Sequence, residues 1–489
     1  MDNLLTIISL LGSLLILLGI ILFIPLILSL VYREGLFWVY LFPSLLSLIV
    51  GYILRGKGRG SKISLSMGMI ICALGWIVIS LVGALVFYLA LDYSYVDSLF
   101  ETVSGFTTTG ITVFTGLDNL PKSILFWRSL IQWFGGLGFL TFFLVVTFRG
   151  QSGLFQLFTA ESHKIDMARP VPNIFKTVKI LWGIYLIFTV SEFIILSFLG
   201  LSYFDAINHS LTTLSTGGFS TYDDSIAHFA NAGYENYKQI EYVITFFMAL
   251  GGINFLVHYQ VLTGKLNSLW KSLEMKYFWG IIFGGTGLIL INHYLNFPFL
   301  WADFEESFRK TIFQVVSLLT TTGYGTEDIN SAFFPSFSKQ IFLVFMFTGA
   351  CVGSTSGGFK LFRIGILGGL FKREIRKIYS PKGAVLPVVI DGNIIPDEEI
   401  FRIVSIFFSW LFLILVGGGI TALASDLPAW NSFSGIFSAL GNIGPFYFSV
   451  EKMQELSDWI KITYIFAMLA GRLEILPLFI IFNRRAWRG

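Results

Sequence analysis

The sequence predicts an all-α polytopic membrane protein: four pseudo-repeats of helix, short half-helix, glycine loop and helix, preceded by two extra transmembrane helices. Three observations predict it: an apolar composition, uncharged stretches long enough to cross a bilayer, and a motif that recurs four times in one helical register. Of 489 residues, 55% are hydrophobic and 13% charged, whereas soluble domains carry about 25% charged residues. Mean hydropathy is +0.75. Such a chain has too little polar surface to cover a water-soluble core. A net charge of +3 gives no reason to expect a nucleic-acid partner, and Cys72 and Cys351 leave no disulfide framework.

A membrane-spanning helix takes about 20 mostly apolar residues. Uncharged stretches qualify at Asn3–Tyr32, Gly35–Leu54, Ile63–Leu91, Ser129–Phe148, Tyr242–Gly264, Tyr277–Ala302, Gln340–Phe359 and Ile403–Ser425. Ile180–Phe204, which holds Glu192, and Ile462–Asn483, which holds Arg472 and Glu474, bring the total to ten. The segments Arg55–Lys62, Arg149–Lys179, Lys265–Lys276, Lys360–Arg402 and Arg484–Arg488 hold 23 of the 33 Lys and Arg residues. Basic residues concentrate in loops that stay in the cytoplasm. These segments alternate with ten spans, so the chain is expected in the cell (inner) membrane, surrounded by lipid bilayer, with both termini cytoplasmic. The opposite connections carry 19 acidic against 9 basic residues, an acidic outer side.

Four outer connections hold a semi-apolar segment followed by a Thr/Gly turn: Thr107–Thr112, Ser215–Ser220, Thr320–Gly325 and Gly441–Phe446. With Gly110, Gly218, Gly323 and Gly444 taken as equivalent, Phe106, Leu214, Leu319 and Leu440 stand four residues earlier. Val103, Leu211, Val316 and Phe437 stand seven earlier, which is helical spacing in every copy. The repeats are expected at residues 63–150, 176–264, 275–372 and 399–489, after two helices in residues 1–62. A half-helix ending in such a turn leaves non-helical backbone at membrane depth, tolerated only inside protein or beside a water-filled cavity. Four such turns around one axis let backbone carbonyls form rings that replace the hydration shell of a monovalent cation. The third turn, T-T-G-Y-G at Thr321–Gly325, differs at one position from the T-V-G-Y-G filter of potassium channels.

On these motifs the chain resembles the membrane subunits of the Trk/Ktr potassium-uptake family, and the two leading spans make it most similar to the TrkH type. The resemblance implies a potassium-channel-like pseudo-tetramer that carries potassium and assembles as a homodimer. Its cytosolic partner is implied to be a TrkA/KtrA-like nucleotide-binding regulatory ring, with no nucleotide held by this chain. The filter residues then fall on Thr108, Thr109 and Gly110; Thr216, Gly217 and Gly218; Thr321, Thr322 and Gly323; and Asn442, Ile443 and Gly444. Pro445 removes a donor after the fourth glycine, so that filter is expected to be the loosest. The alternatives on the same scaffold are a sodium transporter or a sodium- or proton-coupled symporter. An enzyme or scaffold is the alternative of another class; no H-E-x-x-H or G-x-S-x-G motif is present.

Ionisable residues at membrane depth mark function by default. Arg472 lies far from both ends of its span, and residues two apart on a helix do not face each other, so Glu474 is not its natural partner. Arg472 is expected to face the pore just below the filter, a placement the family's matching G-R-L-E segment supports. Glu474 and Glu192 are expected as buried braces. Gly349–Phe359 is a run of small and hydroxylated residues that makes a poor helix. It either packs closely through its small residues or, as the resemblance implies, forms a gating loop of Gly349, Gly353, Ser354, Thr355, Ser356, Gly357 and Gly358, with Lys360 at its edge placed to hold it closed by pairing or hydrogen bonding. Gly135–Gly138 and Gly251–Gly252 are expected only to pack. Lys372, Arg373, Arg376, Lys377 and Lys382, with the acidic Asp397–Glu399, form the expected docking surface for the regulatory partner.

Overall fold

Apolar surroundings leave backbone groups no partners but each other, which drives long uncharged stretches into helices. The computed structural model describes residues 2–56, 63–138, 141, 174–298, 300–381 and 383–487. Among the described residues, six helices are long and apolar enough to cross a membrane: Asn3–Val31, Phe37–Arg55, Leu65–Ala90, Lys176–Phe198, Leu273–Asn296 and Asp397–Leu423. The first two lie backbone to backbone. Their contact depends on Gly12 and Gly51, where a Cβ on either would stand 2.6–2.7 Å from the other's carbonyl oxygen.

Each of the other four precedes a half-helix: Tyr95–Phe106, Tyr203–Leu214, Phe304–Leu319 and Ala429–Gly441. Ser94 and Ser202 cap the first two, accepting from Asp97 N at 3.1 Å and Asp205 N at 3.0 Å, and the acidic side chains in those first turns suit the positive end of the helix dipole. A loop and an inner helix follow in every repeat: Lys122–Gly136, Tyr237–Gly252, Ser336–Thr348 and Asp458–Arg472.

In the first, second and fourth repeats these inner helices correct the expectation of continuous inner spans, while the third breaks where a loop was expected. Their 15, 16, 13 and 15 residues cover only about 20–24 Å at 1.5 Å per residue. Each then breaks. Gly138 has φ 88°, Gly349 φ 65°, and Glu474 and Ile475 φ 57° and 69°; after Gly252 the chain turns by 102° into Phe255–Leu262. The glycines expected only to pack therefore also end helices. The reason is tertiary: a Cβ on Gly135 or Gly471 would overlap the carbonyl oxygen of Phe106 or Leu440, so each of these helices presses on the end of a half-helix and then turns away. The rest of the expected Ser129–Phe148 span, apart from Thr141, lies outside the described residues.

A second departure is a two-stranded antiparallel hairpin, Val388–Ile390 with Asn393–Ile395, in a chain expected to be all helical. Its turn residues Asp391 and Gly392 have φ 50° and 83°, the Asp-Gly signature of a tight hairpin. The Asp391 carboxylate accepts from Leu273 N at 2.9 and 3.1 Å, fixing the hairpin to the start of Leu273–Asn296.

Candidate functional site

The four loops share one backbone path. Thr108, Thr216, Thr321 and Asn442 have φ 54°, 52°, 57° and 54°. Two residues on, Gly110, Gly218, Gly323 and Gly444 have φ 79°, 75°, 87° and 114°. Between them Thr109, Gly217, Thr322 and Ile443 donate their N–H to Ser104, Thr212, Ser317 and Ser438 carbonyls at 2.8, 2.9, 2.8 and 3.1 Å. A left-handed residue costs an L side chain about 1–3 kcal/mol, so the same strain in four places is a built feature. Thr107 and Thr320 hydroxyls reach Thr109 and Thr322 hydroxyls at 2.7 and 2.8 Å, tying two loops back to their half-helices.

The glycines close a ring. A Cβ on Gly110 would overlap Gly217 O, one on Gly218 would overlap Thr322 O, and one on Gly323 would overlap Ile443 O. A Cβ on Gly444 would stand 3.2 Å from Thr109 O, so the ring returns to its start with its widest junction at the fourth repeat. All four glycines line one cavity of about 390 Å³, with Asp223, Asp224, Glu327 and Asp328 also in its wall. Asp223 accepts from Gly116 N and Leu117 N at 2.9 and 3.1 Å. Partial burial of its carboxyl, then the neighbouring Asp223 charge, push Asp118 above the ordinary carboxylate range.

A second cavity, of about 100 Å³, is lined by Gly353, Ser354, Ser356, Gly357, Gly358, Lys360, Arg472 and Glu474 among others. The segment from Gly349 to Lys360 is non-helical and bonds directly to the loops. Thr355 Oγ1 donates to Leu214 O at 2.9 Å and Gly251 O at 3.0 Å; Gly357 N donates to Thr321 Oγ1 at 2.6 Å; and Gly358 N donates to Gly441 O at 3.0 Å. Lys360, 7% exposed, donates to Ser356 O and, at 3.3 Å, to Ser356 Oγ. Arg472 joins three repeats: it donates to Thr355 O at 3.0 Å, Gly136 O at 2.6 Å, Gly135 O, and Thr108 Oγ1 at 3.4 Å. Glu474 pairs with Arg363 at the head of the helix Leu361–Tyr379. Glu192, expected as a buried brace, is wholly buried and makes no ion pair among the described residues.

Three clamps were not anticipated. Arg128 pairs with Glu101 at 2.8 Å and donates to Ser220 O at 2.9 Å, joining the first repeat to the second loop. Arg309 bridges Glu241 and Glu305 between the second and third repeats, and Lys461 pairs with Asp97 at 2.6 Å between the fourth and first. Their signal was charge in the connections expected on the outer side, which positive-inside reasoning treats as solvated. In the segment after Lys360, Arg373 pairs with Asp397 at 2.7 Å and Lys377 with Glu374 at 2.8 Å, so part of the expected docking charge is neutralised internally. Lys382 lies outside the described residues.

A family model described as a cation transport protein, TrkH, matches residues 45–486. The Trk system potassium uptake protein TrkH of Escherichia coli (strain K12) is 34% identical over 488 residues, covering 98% of both chains. That of Halomonas elongata is 30% identical over 99% of both. The crystal structure of the potassium transporter TrkH from Vibrio parahaemolyticus superposes with a TM-score of 0.85 at 29% identity, over 99% of this chain and 100% of that one. Matched along nearly its whole length in sequence and in fold, the chain belongs to the TrkH family of multi-span membrane cation transporters, which are not enzymes.

Proposed function

We propose that the chain carries potassium into the cell through the ring formed by residues 108–110, 216–218, 321–323 and 442–444. The observation that carries this reading is the repeated left-handed pair in all four loops, with each glycine set against the next repeat's carbonyl. Backbone carbonyls so placed replace a cation's hydration shell, and the C-terminal ends of four half-helices add negative potential beneath them. The segment Gly349–Lys360 is the gate: its bonds to Leu214, Thr321 and Gly441 keep it under the ring, and the positive charge of Arg472 beside Thr108 opposes a resident cation. Opening moves the loop and releases Arg472.

Regulation comes from a TrkA/KtrA-like cytosolic nucleotide-binding ring docking on the segment after Lys360, and a second copy of the chain completes a homodimer. Exposed Phe371, Ile375 and Ile378, on one face of Leu361–Tyr379, support a protein contact there. The chain sits in the inner membrane with both termini cytoplasmic, and its boundaries fall between the two leading helices and four repeats.

The test is cation flux in reconstituted vesicles. Wild-type protein is expected to pass rubidium and potassium, and removal of Gly349–Phe359 to raise that flux about tenfold, equivalent to a barrier lowered by about 1.4 kcal/mol. An unchanged flux in the folded deletion variant would remove the loop as gate. The wide junction at Gly444 favours one second reading, sodium permeation on the same scaffold. A reversal potential with potassium and sodium on opposite sides separates the two.

A further inference from the structure

At the middle position of the ring, three repeats carry a side chain, Thr109, Thr322 and Ile443, and the second carries Gly217. The gap is filled from another repeat. A Cβ on Gly217 would overlap the side-chain amide of Gln132, which comes from the inner helix of the first repeat and is wholly buried. Gln132 Nε2 donates to Gly217 O at 2.6 Å, and its Oε1 accepts from Phe219 N at 3.1 Å. One amide therefore grips the loop on both sides of Gly218. It also holds Gly217 O, the carbonyl oxygen a Cβ on Gly110 would overlap, at the junction between the first two repeats.

We propose that Gln132 is a positioning residue that sets the direction of the Gly217 carbonyl, and through it the width and cation selectivity of the ring at its first–second junction. The proposal rests on the potassium-conduction reading. A carbonyl that shares its lone pairs with an amide donor is a weaker and better-fixed ligand than its three counterparts. Fixed position matters because cation discrimination depends on how far the ring can follow an ion smaller than potassium. Gly217 has no left-handed φ, so its lack of a side chain answers to Gln132 and not to backbone conformation.

The experiment measures the potassium-to-sodium permeability ratio of reconstituted protein. Wild-type protein serves as the control: failure of wild type to pass potassium would refute the conduction reading itself. Gln132→Met keeps the volume and removes both hydrogen bonds; the ratio is expected to fall about tenfold, a change of about 1.4 kcal/mol, while potassium flux continues. Gln132→Glu, which faces Gly217 O with an acceptor, is expected to lower the ratio similarly and serves if the Met variant does not assemble. Gly217→Thr alone is expected to abolish flux by colliding with Gln132, and Gln132→Ala combined with Gly217→Thr to restore flux but not selectivity. A conducting Gln132→Met or Gln132→Glu protein with the wild-type ratio would overturn the proposal, as would a double variant no better than Gly217→Thr alone.

Discussion

The outer and inner halves of the proposed pore are built on opposite plans. In the outer half, four loops repeat the same two left-handed positions and the same backbone bonds, though only the glycine is common to all four sequences. In the inner half the described residues diverge after the helices break. The first inner helix ends at Gly136, the second turns by 102°, the third opens into a loop, and the fourth supplies Arg472. A ring of ligands needs equivalent contributions from all sides, whereas a movable obstruction needs only one element and something to hold it. On the proposed reading, symmetry is kept where an ion is to be surrounded and lost where passage is to be interrupted.

The largest test attacks the symmetric half. Gly323→Ser is expected to lower the potassium-to-sodium ratio about a hundredfold, since strain of about 1–3 kcal/mol at a positive φ adds to overlap with Ile443 O. Gly444→Ser, whose Cβ has 3.2 Å to Thr109 O, is expected to cost only about tenfold, with strain alone at work. Equal effects at the two positions would show that the wide fourth junction has no bearing on selectivity. In the asymmetric half, Arg472→Gln should raise rubidium flux roughly tenfold, the effect of removing about 1.4 kcal/mol from the barrier, with selectivity unchanged. A fall in selectivity instead would make Arg472 part of the ring and blur the division between the halves.

Two smaller tests reach the edges of the same comparison. Asp391→Gly keeps the hairpin turn but removes the cap on Leu273 N, and is expected to cost about 1 kcal/mol of thermal stability. Because Glu274 on the next residue accepts from Val352 N at 2.7 Å, a modest rise in flux should accompany it; unchanged flux would separate the hairpin from the inner half. At the outer mouth, Asp118 sits above the ordinary carboxylate range, so its charge is lost earlier as pH falls. Rubidium uptake at low ionic strength should therefore drop about twofold as pH is lowered, starting above the ordinary carboxylate range, and the drop should vanish at high salt, where exposed charges are screened.

The outer half was largely legible in the sequence. Apolar residues four and seven positions earlier point to Gly218 and Gly444 as the turning glycines, and these carry the positive φ while the nearby Gly217 and Gly441 do not. Val103, Phe106, Leu214, Val316, Leu319 and Leu440 are all buried, as helical spacing in a packed half-helix requires. The broken first and second inner helices were not legible, because Gly135 and Gly251 read as ordinary small packing residues until the half-helix ends they meet are in place. The hairpin was available in V-V-I-D-G-N-I-I, residues 388–395, whose Asp-Gly between apolar runs is a strong local signal. Gln132 was invisible for another reason: its partners lie 85 and 87 residues away, and nothing in its own helix distinguishes it.

The sequence by itself determined the membrane class, the four-fold repeat and the register of each turning glycine, because hydropathy and helical spacing are local properties of the chain. Tertiary structure decided where the inner helices stop, which side chain stands in for the one Gly217 lacks, and that Arg472 joins the first, third and fourth repeats. Those outcomes depend on backbones meeting at distances that only the assembled ring sets. A glycine's freedom is written in the sequence, but what it makes room for is not.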